Sequence, residues 1–224
     1  MTLLTINDIH VTYNEKTPNQ IHALQGIDLS LETGEFVSIM GPSGSGKSTL
    51  LYVLGALMKP SRGRYRFNDI SVDRLSPREM SAFRNKNIGF VLQDYCLLRD
   101  RTVLENVCIP ALFAKNVSLR QAEERGETLL EELGLKDYAN RRVSELSGGQ
   151  CQRVAVARSL LMEPKLILAD EPTGSLDVKN RNRLMRLFAR LNRQGTTLVV
   201  VTHDPAVAEC SKRRLQLQDG SFLS

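Results

Sequence analysis

The sequence predicts an α/β fold: a parallel sheet buried between helices, with an antiparallel β subdomain beside it and a helical subdomain inserted into it. Three observations lead there. Four short runs, Phe36 to Met40, Ile88 to Leu92, Leu166 to Ala169 and Leu198 to Val201, are continuously apolar rather than alternating, as strands covered on both faces must be. The stretch from Tyr95 to Glu145 is long and charged, with segments such as SLRQAEERGETLLEELGL, too long for a simple crossover and too polar for sheet, so it reads as inserted helices. The first 35 residues and Gly63 to Ile70 alternate and are punctuated by Gly and Asn, which suits antiparallel strands.

Composition agrees with this and narrows the rest. With 224 residues, 42% hydrophobic and 25% charged, the chain can bury one sizeable core without staples. Aromatics are only 5% and Trp is absent, so that core rests on Leu, Val, Ile and Ala. The longest apolar stretch, Leu50 to Met58, is well short of the roughly 18 to 20 residues of a membrane-spanning helix. The N-terminus lacks a basic start followed by a long apolar region, so a cytoplasmic protein is expected. Cys96, Cys108, Cys151 and Cys210 are widely spaced, which argues against a zinc site and a disulfide framework. A net charge of +5 fits nucleic acid, an anionic membrane surface, or neither.

Each apolar run ends in polar chemistry. The first leads into Gly41-Pro42-Ser43-Gly44-Ser45-Gly46-Lys47-Ser48-Thr49, which fits the phosphate-binding loop pattern G-x-x-x-x-G-K-[ST], with a strand before it and the helical run Ser48 to Leu57 after it. Small residues let backbone N–H groups wrap phosphates, the helix start adds positive potential, and Lys47 adds a full charge. Ser48 is the expected Mg²⁺ ligand. The third run delivers Asp170, suited to hold Mg²⁺ through water, and Glu171, suited to polarise an attacking water. The second run ends at Gln93 and the fourth at Thr202, His203 and Asp204. Ligands of open α/β sheets bind beyond the carboxyl ends of the strands, so these endings can converge. The fold class is thus that of a P-loop NTPase with a RecA-like core. His10 and His22 read as ordinary structural residues.

A second small-residue helix start, Ser147-Gly148-Gly149-Gln150, suits anion binding, although the same residues also make a good cap and turn. With Leu146 it matches the signature of the ATP-binding subunits of ABC transporters, and the order of phosphate loop, Gln93, signature, acidic strand and His203 matches that family over essentially the whole chain. The resemblance implies ATP and Mg²⁺ as cofactors and an ATPase core at residues 1–94 and 163–224, with a helical subdomain at about 95–162. By the same resemblance, Tyr13 stacks on adenine, Gln93 touches Mg²⁺ and the attacking water, Glu171 is the catalytic base, and His203 contacts the terminal phosphate. Ser175, Leu176 and Asp177 resemble the loop joining two subunits of a head-to-tail homodimer, in which Ser147 to Gln150 of one chain cover the ATP held by Lys47 of the other. A separate integral-membrane permease is the implied partner, with the chain peripheral on the cytoplasmic face of the membrane and no nucleic acid involved.

IGFVLQDYCLLRDRTVLENVCIPAL and LADEPTGSLD most resemble the branch of lipoprotein-releasing, macrolide-exporting and bacitracin-exporting ATPases. A DNA-associated ATPase of the same superfamily is the alternative, but its coiled coil or zinc modules are absent here. A small-molecule kinase or GTPase is disfavoured further, because no Asn-Lys-x-Asp guanine motif follows the phosphate loop and the signature would be unexplained. Arg181, Arg183, Arg186, Arg190 and Arg193 spread around one predicted helix and are expected to form a solvated face. Cys151 departs from the signature's usual neighbour; a helix start can lower its thiol pKa, while a quiet packing role is the simpler expectation.

Overall fold

The computed structural model describes residues 1–114, 116–174 and 176–223. Two long strands open the chain, β1 (Thr2–Tyr13) and β2 (Ile21–Glu32), followed by β3 (Phe36–Met40), helix α1 (Lys47–Leu54), β4 (Arg62–Phe67) and β5 (Ile70–Ser71). Then come α2 (Pro77–Asn87), β6 (Ile88–Val91), α3 (Val103–Cys108), α4 (Leu119–Glu132) and α5 (Gly148–Leu160). The chain closes with β7 (Leu166–Asp170), α6 (Val178–Arg193), β8 (Thr197–Val201), the short α7 (Pro205–Ala208), β9 (Arg213–Gln218) and β10 (Ser221–Phe222).

The strands form two sheets, one in the order β2-β1-β4-β5 and one in the order β10-β9-β3-β8-β7-β6. The first is antiparallel throughout. In the second, β9, β3, β8, β7 and β6 run parallel, and only the edge strand β10 is antiparallel. Parallel pairing explains the unbroken hydrophobicity of the four runs, because successive side chains enter two different cores. Val37, Ile39, Leu166, Leu168, Val199 and Val201 join the apolar cluster shared with the antiparallel sheet, α1 and α2. Their alternates Phe36, Ile167, Ala169, Leu198 and Val200 join the cluster beneath α3, α4, α5 and α6. Both faces are dry, so period-two alternation disappears from the sequence.

Helix starts are set locally. Ser76 with Glu79, Thr102 with Glu105, and Ser118 with Gln121 form reciprocal capping boxes at α2, α3 and α4. The region between β6 and β7 is helical as expected, with short 3-10 turns between α3, α4 and α5. The arginines of α6 do not form a purely solvated face. Arg183 donates to the Glu132 carbonyl at 3.0 and 2.7 Å, Arg190 pairs with the Glu132 carboxylate, and Arg181 pairs with Asp204 at 3.2 Å. The carbonyl end of α4 carries partial negative charge, so a guanidinium there is favoured on electrostatic grounds. Spacing along α6 alone could not reveal this, because the acceptors belong to another helix.

Candidate active site

β3 stops at Met40 and the chain turns through residues 41–46 into α1. A Cβ on Gly41 would run into the Leu217 carbonyl oxygen, and one on Gly46, at φ 100°, into the Ala23 carbonyl oxygen, so the loop can lie this close to β9 and β2 only with glycine at both points. Gly220 donates its N–H to the Ser45 carbonyl at 3.1 Å, fixing the loop from the C-terminal hairpin. Lys47 bends back over the loop, its Nζ donating to the carbonyls of Gly41 and Pro42 at 2.9 and 2.7 Å. The cation is thereby held against a glycine-rich loop that opens a helix, a combination suited to receive a chain of phosphates.

Three neighbouring strands bring the acidic and imidazole groups to this loop. Ile39 is paired with Val201, and Val201 with Asp170, so the ends of β3, β8 and β7 lie side by side. Ser48 donates from Oγ to Asp170 Oδ2 at 2.8 Å. Asp170 is only 6% exposed. Burial raises its pKa, and the Glu171 charge adds to that, while the Ser48 hydrogen bond and Lys47 oppose it. A hydroxyl and a buried carboxylate at hydrogen-bond distance, open to phosphate oxygens and water, are the hard oxygen donors that Mg²⁺ takes.

Glu171 takes a left-handed backbone conformation, φ 45°, which a side-chain-bearing residue holds only when its surroundings fix it. They do: its N–H donates to the Val201 carbonyl at 2.9 Å. Its carboxylate accepts the His203 N–H at 2.9 Å and the Thr202 hydroxyl at 3.2 Å, and lies 2.8 Å from His203 Nδ1. The His203 side chain itself is 79% exposed. Thr202 is the residue here whose contact with Glu171 the sequence did not announce; its position after an apolar strand was the available signal.

Other expected residues stand apart from this cluster. Gln93, just beyond β6, is exposed, and among the described residues no hydrogen bond joins it to Asp170 or Glu171. Tyr13 closes β1 with its hydroxyl 3.2 Å from Thr49 Oγ1, which pins the ring beside α1. Ser147 and Gly148 are exposed at the start of α5, where the Ser147 N–H donates to Gln150 Oε1 at 2.8 Å, and among the described residues no bond links them to residues 41–49. Asp177 caps α6, accepting the Asn180 N–H at 2.7 Å, and that bond holds its carboxyl below the usual range. Leu176 packs against the apolar cluster beneath α3, α4, α5 and α6, while Ser175 lies outside the described residues. At Cys151, burial raises the thiol pKa against the opposing charge of nearby Arg99, which favours the packing role over an activated thiol. His10 bonds Asp8 at 2.8 Å and His22 lies 3.2 Å from Thr12, both away from the strand ends. The residue that sequence reading missed is Arg158, a single cation inside VAVARSLL, whose guanidinium donates to the carbonyls of Tyr95 and Cys96.

Residues 24–174 match the ABC transporter family. The chain belongs to that family. The lipoprotein-releasing system ATP-binding protein LolD of Bacteroides fragilis (strain YCH46) is 47% identical over 96% of this chain and 100% of its own length. The macrolide export ATP-binding/permease protein MacB of Syntrophobacter fumaroxidans (strain DSM 10017 / MPOB) is 44% identical over 98% of this chain, a match confined to 31% of that longer protein. The solved ATP-binding cassette MJ0796, a dimer in a post-hydrolysis state bound to ADP and Pi, superposes with a TM-score of 0.94 at 40% identity, covering 99% of this chain and 97% of its own. This ABC cassette is therefore an ATPase, the ATP-binding subunit of a transporter, of the branch that its sequence resembled. These relatives are transporter cassettes, and the DNA-associated alternative has no support among them. No helix of this cassette, among the described residues, is long and apolar enough to cross a membrane.

Proposed function

We propose that this cassette powers a membrane permease carried on separate chains, for export or extraction of a lipoprotein, peptide or drug-like substrate, from the cytoplasmic face of the membrane. The observation that carries the chemistry is the joining of Lys47, Ser48, Asp170, Glu171, Thr202 and His203 at adjacent strand ends. Lys47 and the loop N–H groups hold the phosphates, and Tyr13 lies at the adenine end. Ser48 and Asp170 would hold Mg²⁺, with Gln93 brought in beside them; that ion supplies neutralisation of charge growing on the β- and γ-phosphate oxygens. Glu171 takes a proton from the attacking water as the water oxygen bonds to the γ-phosphorus and the bond to the bridging oxygen breaks. His203 orients that carboxylate and reaches the γ-phosphate.

Two further parts of the reading follow from exposed features. Ser147 and Gly148 stand exposed at the start of α5, unbonded to residues 41–49 among the described residues, which supports a head-to-tail dimer in which Ser147 to Gln150 cover the partner's ATP, with Ser175 to Asp177 crossing between subunits. A cavity of about 790 Å³ lies beside the Gln93 turn and is lined by Leu57, Phe90, Ile109, Phe113 and Arg158. Phe113 is 74% exposed there, which suits an apolar segment of the permease. Movement of residues 95–162 against the core of 1–94 and 163–224 would pass closure of the dimer to that segment.

Glu171→Gln keeps the shape of the site and removes the base. It is expected to bind ATP, to accumulate as a closed dimer in size-exclusion chromatography, and to lose on the order of 1,000-fold in kcat. Wild-type turnover in this variant would refute the role of Glu171. Purification from membranes with the bound permease identified tests the partner; DNA-stimulated hydrolysis with no permease recovered would favour the nucleic-acid alternative.

A further inference from the structure

Arg158 sits in the last turn of α5 between the buried residues Ala157 and Ser159. A cation at a helix C-terminus ordinarily serves the carbonyls of its own last turn. Here the fork points elsewhere: Nη2 donates to the Tyr95 carbonyl at 2.6 Å and Nη1 to the Cys96 carbonyl at 2.5 Å. Among the described residues no carboxylate pairs with it, and burial lowers its pKa, so the two carbonyls are the hydrogen-bond acceptors that face its charge.

The acceptors are unusual in their own right. Tyr95 and Cys96 both adopt left-handed backbone, φ 57° and 47°, a conformation that residues with side chains hold only where their surroundings fix it. The Tyr95 N–H donates to the Leu92 carbonyl at 3.1 Å and the Cys96 N–H to the Asp94 carbonyl at 2.6 Å, curling the chain tightly around Gln93. Downstream, the fully buried Asn106 accepts the Leu98 N–H at 2.8 Å and donates to the Leu98 carbonyl at 3.0 Å, anchoring the turn to α3. Gln93 thus hangs on a strained turn whose far end is fixed to α3 and whose crest is fixed by Arg158.

We propose that Arg158 is the positioning residue of the Gln93 turn and ties it to the helix that begins at the signature, so that displacement of either moves the other. The idea rests on the reading of Gln93 as a reaction residue. Two adjacent carbonyls are met by two nitrogens of one planar fork, which a lysine ammonium on a flexible stem does not reproduce. Arg158 and Cys96 also share the wall of the cavity that holds Phe113, so an occupant there presses on clamp and turn together.

The test uses the full-length chain with Arg158→Lys, Arg158→Met and Gln93→Ala, in steady-state ATPase assays with Mg²⁺ and by amide hydrogen exchange. Both Arg158 variants are expected to lose about tenfold in kcat with the KM for ATP changed by less than about twofold, because the phosphate loop is untouched. Exchange in residues 92–98 should accelerate about tenfold while α5 stays protected. If Gln93→Ala loses turnover and Arg158→Lys keeps both wild-type kcat and wild-type exchange in the turn, the proposal is overturned. Equal loss of protection along α5 and the turn would assign Arg158 to general stability and overturn it as well. If Gln93→Ala retains turnover, the role of Gln93 fails instead, and the exchange of residues 92–98 alone decides whether Arg158 holds the turn. Should Arg158→Met fail to fold, Arg158→Lys carries the comparison, since it keeps the charge and most of the packing.

Discussion

The phosphate loop and the signature turn are both glycine- and serine-rich entries into a helix, yet only one is furnished with charge. At α1 the N–H groups share their space with Lys47, and Ser48 already touches Asp170, so the helix start lies inside a network of cation, hydroxyl and carboxylates. At α5 the Ser147 N–H is occupied by the Gln150 side chain, and Ser147 and Gly148 face outward. The difference teaches that two helix starts of similar composition differ in what the fold adds beside them, a full positive charge and a buried carboxylate at one and neither at the other. On the proposed reading, the signature turn would become part of a site only through a surface brought to it.

Removing the charge should break the contrast most visibly. Lys47→Ala is expected to weaken ATP binding about 100-fold, the loss of charge-assisted bonds to phosphate. Ser147→Ala should leave the ATP affinity of the single chain within about twofold and act on turnover instead. Fluorescent-nucleotide titration beside steady-state ATPase measurements separates the two. A matching loss of affinity in both variants would mean that the two helix starts are equivalent after all.

Asp170 sharpens the comparison through pH. Its folded pKa lies above the ordinary value of 3.8, so the unfolded chain loses its proton first as pH rises, and wild-type stability falls through that interval. Asp170→Asn removes this cost. The nucleotide-free variant should therefore melt at a higher temperature than wild type at pH 7, with the advantage shrinking as pH falls towards 3.8, while Mg²⁺-supported turnover is lost. Calorimetry across that range would detect the opposite sign if the Ser48 bond outweighed burial.

The smallest expected effect concerns the far side of the signature helix. Arg153 donates to the Leu133 carbonyl at 2.8 Å and Arg183 to the Glu132 carbonyl, so α5 and α6 both hold the end of α4. Arg183→Ala should cost about 1 kcal/mol in urea unfolding, the worth of a surface cation bonded to a helix C-terminus. No measurable loss would show that Arg153 alone secures this corner.

Local chemistry made much of this protein legible in its sequence. Strands buried on both faces must be continuously apolar, so VSIM and LILAD declare themselves, and the phosphate loop declares itself by its spacing G-x-x-x-x-G-K-[ST] between a strand and a helix. These signals are carried by neighbours in the chain, where spacing alone fixes geometry. The tertiary structure decided the rest: that Thr202 and His203 grip Glu171, that Gln93 stays apart from Asp170, that Arg183 bonds the carbonyl end of α4, and that Arg158 reaches the Gln93 turn. Each of these contacts joins residues from separate elements, and only strand order, register and side-chain direction, fixed when the two cores pack, determine which groups meet.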